Sequence, residues 1–262
     1  MNAASENQSV PVIDMRDVTV GTLRDPATVI ARAVEWRVAP ADYWVIGGLQ
    51  GSGKSDFLMM TAGLMPPRAG EYRLFGEVMP IFEESRLAHR LRLGLVFDGG
   101  QLLNHLTVLE NVALPLRYHQ HRPRAEIEAE VREMLAATDL LPWAASTPGA
   151  MPRPWRKRAG LARALMLRPE VLLLDGPLSG VDLRHANWWL NFLDQLARGH
   201  ALPDHPPMTL VATAEDFRPW RGRANQFAVL ESRRFAVLGN WDQVEHSPDP
   251  AVRMLLEGHN PA

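Results

Sequence analysis

The chain has 262 residues, a length that suits one large domain or two small ones. Hydrophobic residues make up 46%, enough for a real core, and a formal net charge of −2 supplies no bulk positive field to hold nucleic acid. The absence of cysteine excludes disulfides, thiolate chemistry and cysteine-bound metal, and fits a reducing cytosol.

Met1 to Pro11 is polar and has no apolar centre, so residues 1 to about 10 read as a flexible tail and not as a signal peptide. No run approaches the roughly 18 consecutive apolar residues a membrane span needs. Tyr43 to Ile46 is a short apolar strand that runs into glycines. After Ser55, Phe57, Met60 and Leu64 recur at i, i+3 and i+7, a helix face that Gly63 and Pro66–Pro67 close. Leu93 to Phe97 is a further strand, and Ile127, Val131, Met134 and Leu135 mark an amphipathic helix. Leu161 to Leu167 reads as a helix, Pro169 breaks it, and Val171 to Leu174 is a strand buried on both faces. Trp189, Phe192, Leu193 and Leu196 line another helix. Thr209 to Thr213 is strand-like, and Phe227 to Leu238 forms a hairpin around Arg233. Strands alternating with helices predict an α/β fold with a mainly parallel central sheet. Residues from about 99 to 160 break the alternation and read as a helical insertion. No internal repeat is visible.

Gly48-Leu49-Gln50-Gly51-Ser52-Gly53-Lys54-Ser55 matches G-x-x-x-x-G-K-[ST] in full and lies between a strand and a helix. The glycines let the backbone curl until several N–H groups point at one anion, and the following helix adds its positive end. Lys54 supplies a charge for the outer phosphates of ATP, and the Ser55 hydroxyl is a ligand for Mg²⁺. The nucleotide site is therefore expected over Gly48 to Ser55 and the adjoining Asp56.

Further segments carry a family resemblance. Gly63-Leu64-Met65-Pro66-Pro67 with Gly70-Glu71, Leu106-Thr107-Val108-Leu109-Glu110-Asn111-Val112, Arg158 to Leu165 (R-x-x-x-A-R-A-L), Arg168-Pro169-Glu170 leading into Val171 to Asp175, and Ser179-Gly180-Val181-Asp182 follow in order. Together they resemble the ATP-binding cassette (ABC) subunits of membrane transporters along nearly the whole chain. Gly99 to Leu103 through Pro115-Leu116-Arg117 is most similar to the lipid-transport branch, including phospholipid transporters of Gram-negative envelopes. The resemblance implies a P-loop NTPase (RecA-like) core over about 11–98 and 161–240, a helical subdomain over about 99–160, and an N-terminal antiparallel β part, all within one domain spanning 11–262. It implies a cytoplasmic protein, peripheral on the inner face of the membrane through a permease. The permease would dock near Asp98 to Leu116, with Leu102, Leu103 and Leu106 as contacts or as core. A second cassette, identical or different, would pair head to tail with this one.

The chain departs from that family pattern at four places. The family's magnesium-binding glutamine is Asp98 here, open to reading as a Mg²⁺ ligand or as a solvated loop residue. The catalytic glutamate is replaced by Gly176, directly after Asp175, and glycine cannot orient or deprotonate water. Asp175 itself remains as a Mg²⁺ ligand. The histidine that contacts the γ-phosphate is replaced by Glu215, which would repel phosphate and is therefore expected to point away, or else to be protonated or to sit behind a metal ion. The glycine-rich signature loop is replaced by Met151-Pro152-Arg153-Pro154-Trp155, in which two prolines remove two donors and fix φ. Arg153 is a phosphate partner or, with the basic run to Arg158, a solvated helix start. Val18 to Gly21 also lacks the aromatic on which the family stacks adenine, and the nine histidines show no metal-ligand spacing and read as surface residues.

Three functions follow. The chain is a Mg·ATP-binding transporter subunit that hydrolyses slowly or not at all, a pseudo-ATPase. Alternatively it is an active ATPase rewired through Asp98 or Glu215, or a regulatory scaffold in which even binding is vestigial.

Overall fold

The computed structural model of the protein describes residues 10–25, 27–79, 86–202 and 206–258. The expected tail, apart from Val10, lies outside the described residues. Ten strands among the described residues form one mixed sheet in the order β5-β4-β1-β2-β10-β9-β3-β8-β7-β6. Its antiparallel half pairs β1 (Ile13–Gly21) with β2 (Val29–Val38) and β4 (Ala69–Leu74), and β4 with β5 (Glu77–Val78). Its parallel half pairs β3 (Tyr43–Gly47) with β8 (Thr209–Ala214) and β9 (Gln226–Glu231), and β7 (Val171–Leu174) with β6 (Leu93–Val96) and β8. The halves meet at one parallel bridge, Arg234 to Arg32, between β2 and β10 (Arg234–Gly239).

Side chains alternate across the parallel strands, so each feeds two cores. Tyr43, Val45, Leu172 and Leu174 face one cluster, while Trp44, Ile46, Val171 and Leu173 face the other. This is why these segments read as unbroken apolar runs. The expected hairpin turns at Ser232 and Arg233, both at positive φ as a two-residue primed turn requires.

Helix α1 (Lys54–Thr61) buries Phe57 and Met60 as the spacing predicts. Leu64 does not share that face: it lies beyond the helix end and is 52% exposed, because Gly63 at φ +72° has already turned the chain out. The short α2 (Leu87–Arg90) precedes β6. Helix α3 (Val108–His119) starts at a capping box between Thr107 and Glu110. Helix α4 (Arg124–Ala137) buries all four residues expected on its face.

Helix α5 (Arg153–Leu165) starts well before the expected Leu161. Pro152 is its N-cap and Pro154 lies in its first turn, where a missing N–H costs nothing. Its inward face carries Lys157 and Arg158, and that charge hides the helical period. Helix α6 (Leu183–Ala197) is capped by Asp182, which accepts from the His185 N–H at 2.9 Å, and buries Trp189, Phe192, Leu193 and Leu196. Helices α7 (Trp241–Glu245) and α8 (Pro250–Glu257) close the described chain against β9 and β10.

The basic run does start a helix, with Arg153 half exposed, but Lys157 and Arg158 are buried and not solvated. Arg158 is 3% exposed, its guanidinium 3.8 Å from the ring centre of Trp188 and 4.5 Å from that of Trp155. It donates to Asp139 at 3.3 Å and to Nδ1 of His185 at 2.9 Å. His185 is therefore not a surface histidine: it is buried and accepts from a cation. Burial, then the Arg158 charge, lowers its pKa. The unfolded chain takes up a proton that the folded chain refuses, so stability is lost as pH falls below about 6.5. Urea unfolding at pH 7.5 and 5.5 should show this loss, and His185→Gln should reduce it; an unchanged pH difference would exclude His185 as its source.

Candidate functional site

β3 delivers the chain at Gly47 and α1 takes it up at Lys54, so the intervening loop must fold back on itself. Gly51 and Gly53 accomplish this at φ +82° and +94°, and a Cβ on Gly53 would strike Ile30. Lys54 lies over the loop, its Nζ donating to the carbonyls of Gly48 at 2.7 Å and Leu49 at 2.9 Å. Burial pulls the Lys54 pKa down. The Ser52 hydroxyl is buried with no hydrogen-bond partner among the described residues.

The expectation that Glu215 points away is corrected. Its Oε1 lies 3.7 Å from Lys54 Nζ, with the side chain half exposed. The cause is sheet register. Gly47 pairs with Ala214, and Gly48 N–H donates to Ala214 O at 3.1 Å, so residue 215 emerges beside the loop with Lys54 at hand. On the other flank, Glu231 accepts from the Leu49 N–H at 3.4 Å. Asp56 accepts from the Leu23 N–H at 3.2 Å and ties α1 to the β1–β2 connection.

Asp175 leaves the end of β7 and is bonded to the hydroxyls of Ser55 and Thr213, the latter at 3.1 Å. Burial raises its pKa. Ser55 and Asp175 thus form an oxygen pair of the hard type that suits Mg²⁺. Thr213 also accepts from the Gly176 N–H at 2.8 Å. Sequence reasoning passed over Thr213 because a threonine inside a strand carries no signal by itself.

Asp98 sits between two cations of its own chain. It is ion-paired with Arg153, and its Oδ1 is 2.7 Å from Lys157 Nζ. Lys157 is 1% exposed and also donates to the carbonyls of Gly176 at 2.6 Å and Ser179 at 2.8 Å. Any metal ion would have to compete with both side chains for the Asp98 carboxylate. Arg153 turns back toward its own β6 end and lies against Gly180, where an added Cβ would be 3.6 Å from its Nη1. The Met151 side chain is buried in the core. The segment in the place of a glycine-rich loop is thus tied to its own chain through Met151 and Arg153, while Pro152 and Arg153 remain exposed.

Gly176 takes φ +51°, and a Cβ there would lie 2.8 Å from Ser179 Oγ. A cleft of about 520 Å³ joins these parts: Thr22, Thr28 and Ile30, then Gly51, Gly53, Lys54 and Ser55, then Asp98, Asp175, Gly176 and Glu215. No aromatic side chain is among the described residues that line it. Beside it, the Asn111 side chain accepts from the Leu103 N–H at 2.7 Å and donates to the Leu103 carbonyl at 3.1 Å. Leu103 is thereby presented outward, while Leu102 packs against the core.

The family model described as "ABC transporter" matches residues 31–179. The intermembrane phospholipid transport system ATP-binding protein MlaF of Escherichia coli (strain K12) is 28% identical over 254 residues, 97% of this chain and 91% of MlaF. The methionine import ATP-binding protein MetN of Xanthomonas campestris pv. campestris (strain 8004) is 31% identical over 225 residues, 85% of this chain and 65% of MetN. Among solved structures, the dimeric MJ0796 ABC transporter cassette superposes with a TM-score of 0.75 at 24% identity, covering 85% of this chain and 95% of that one. That likeness shows the shared fold.

Proposed function

Because the chain belongs to the ABC transporter family, we propose that it is the nucleotide-binding subunit of a membrane transport complex. It holds Mg·ATP at Gly48 to Ser55 and hydrolyses it slowly or not at all. The observation that carries this reading is the pairing of a complete phosphate loop with Gly176 where a water-orienting carboxylate would stand. Lys54, the loop N–H groups and the α1 terminus receive the phosphates. Ser55 and Asp175 would hold a Mg²⁺ ion, which would supply positive charge against the phosphates. Asp98 and Glu215 do not make good substitute bases, since each is already engaged by cations. This speaks against the rewired-ATPase reading.

The cargo is lipid in this reading, supported by the similarity to MlaF over 97% of the chain. No helix among the described residues is long and apolar enough to cross a membrane. In this reading the family membership supports contact with the bilayer through a permease on the cytoplasmic side. A second cassette completes the assembly. With Arg153 engaged by Asp98, this chain offers its partner's nucleotide little from Met151 to Trp155.

The test is one incubation of the purified protein with γ-labelled ATP and Mg²⁺, counting bound and released label beside Lys54→Ala. Bound, uncleaved label that disappears in the variant is the expected result. Phosphate released by the parent and lost in the variant would overturn the claim of impaired hydrolysis. No binding by the parent would leave only the scaffold.

A further inference from the structure

The phosphate-loop lysine of this chain is answered by carboxylates before any ligand arrives. Glu215 is its ion-pair partner at 3.7 Å, and Asp175 and Glu231 act on it through their charges. The other cations near the far end of the cleft are engaged elsewhere, Arg153 and Lys157 both pairing with Asp98. Glu215 cannot withdraw its backbone, because β8 is paired with β3 up to Ala214 and Gly48 N–H is bonded to the Ala214 carbonyl.

The two outer phosphates of a bound nucleotide would meet different surroundings. One that sits within the loop is held by backbone N–H groups and the α1 terminus, which Glu215 does not touch. A further, terminal phosphate must share Lys54 with a carboxylate already paired to it, in a cleft also lined by the carboxylates of Asp56, Asp98 and Asp175. Like charges a few ångströms apart repel, and only half of the Glu215 side chain is in solvent to screen it.

From the Glu215–Lys54 pair at the outer end of the phosphate loop, we infer that Glu215 sets nucleotide selection, so that the site takes a nucleoside diphosphate in preference to a triphosphate. This rests on the reading of Gly48 to Ser55 as a nucleotide site. Occupancy would then follow the ratio of diphosphate to triphosphate rather than turnover.

Calorimetric titration of the full chain with ADP, ATP and β,γ-imido ATP at constant Mg²⁺ tests it. ADP should bind about tenfold or more tighter than either triphosphate, the scale of a partly screened like-charge contact. Glu215→Gln should shrink the ratio of triphosphate to diphosphate Kd by about tenfold, and Glu215→Asp, which keeps the charge, should preserve most of it. Equal affinities in the parent, or a ratio that Glu215→Gln leaves unmoved, would overturn the inference and leave the nucleotide site standing. Failure of all three nucleotides to bind a protein that melts cooperatively would overturn both.

Discussion

Lys157→Met is expected to lower the free energy of unfolding by about 3 kcal/mol, the lower end of what breaking a buried ion pair costs. The ammonium is 1% exposed, donates to Gly176 O and Ser179 O at 2.6 and 2.8 Å, and is ion-paired with Asp98 Oδ1 at 2.7 Å. Burial alone disfavours the charged form and pulls its pKa down, and these acceptors hold the proton in place. Methionine fills much of the stem's volume and satisfies none of them. Asp98 would keep Arg153, and its side chain is 39% exposed, which places the loss at the low end. Adding Asp98→Asn removes the uncompensated carboxylate and should recover part of the loss. Urea unfolding of the parent, the single variant and the double variant decides the matter. A loss below about 1 kcal/mol, the worth of an exposed pair, would mean that the ammonium is not confined as described.

Gly176→Glu, the substitution that a sequence comparison invites, is expected to destabilise by about 1–3 kcal/mol and to leave turnover where it was. The residue sits at φ +51°, where an L side chain is strained. Its Cβ would come within 2.8 Å of Ser179 Oγ, on a segment that Lys157 anchors at both Gly176 and Ser179. The new carboxylate would also arrive beside Asp98. Adding Ser179→Gly removes the collision while keeping the φ cost, so it should restore part of the stability. Phosphate release with γ-labelled ATP, read beside a melting curve, tests this. A strong gain in turnover with an unshifted melting temperature would show that the turn accepts a glutamate after all. If the expectation holds, the missing carboxylate is not one substitution away, because the backbone around it has settled into a shape that glycine permits.

The stability linked to Lys157 and the silence expected of Gly176→Glu share one cause. Helix α5 begins at Arg153, so its first turns bring Arg153 and Lys157 into reach of Asp98 and of the turn after β7. The family pattern that the sequence resembles would put a glycine-rich loop at that place. Here the same stretch is drawn inward and closes a salt-bridge network within its own chain.

By itself the sequence determined what depends on neighbouring residues. The phosphate loop was legible because its glycines and Lys54 must follow one another for the backbone to close around an anion. The strands β3 and β7 were legible because burial on both faces makes an unbroken apolar run, and the buried faces of α4 and α6 because burial of one helix face imposes a period of about 3.6 residues. The family and its fold followed from several such segments in order. Tertiary structure decided what depends on partners far apart in the chain. Lys157 meets Asp98 and Ser179, Arg158 lies between Trp155 and Trp188, and Glu215 turns to Lys54. A charged residue in a sequence reads as solvated because water is its default partner. Only the fold supplies the opposite charge, carbonyl or aromatic face that makes burial the lower free energy.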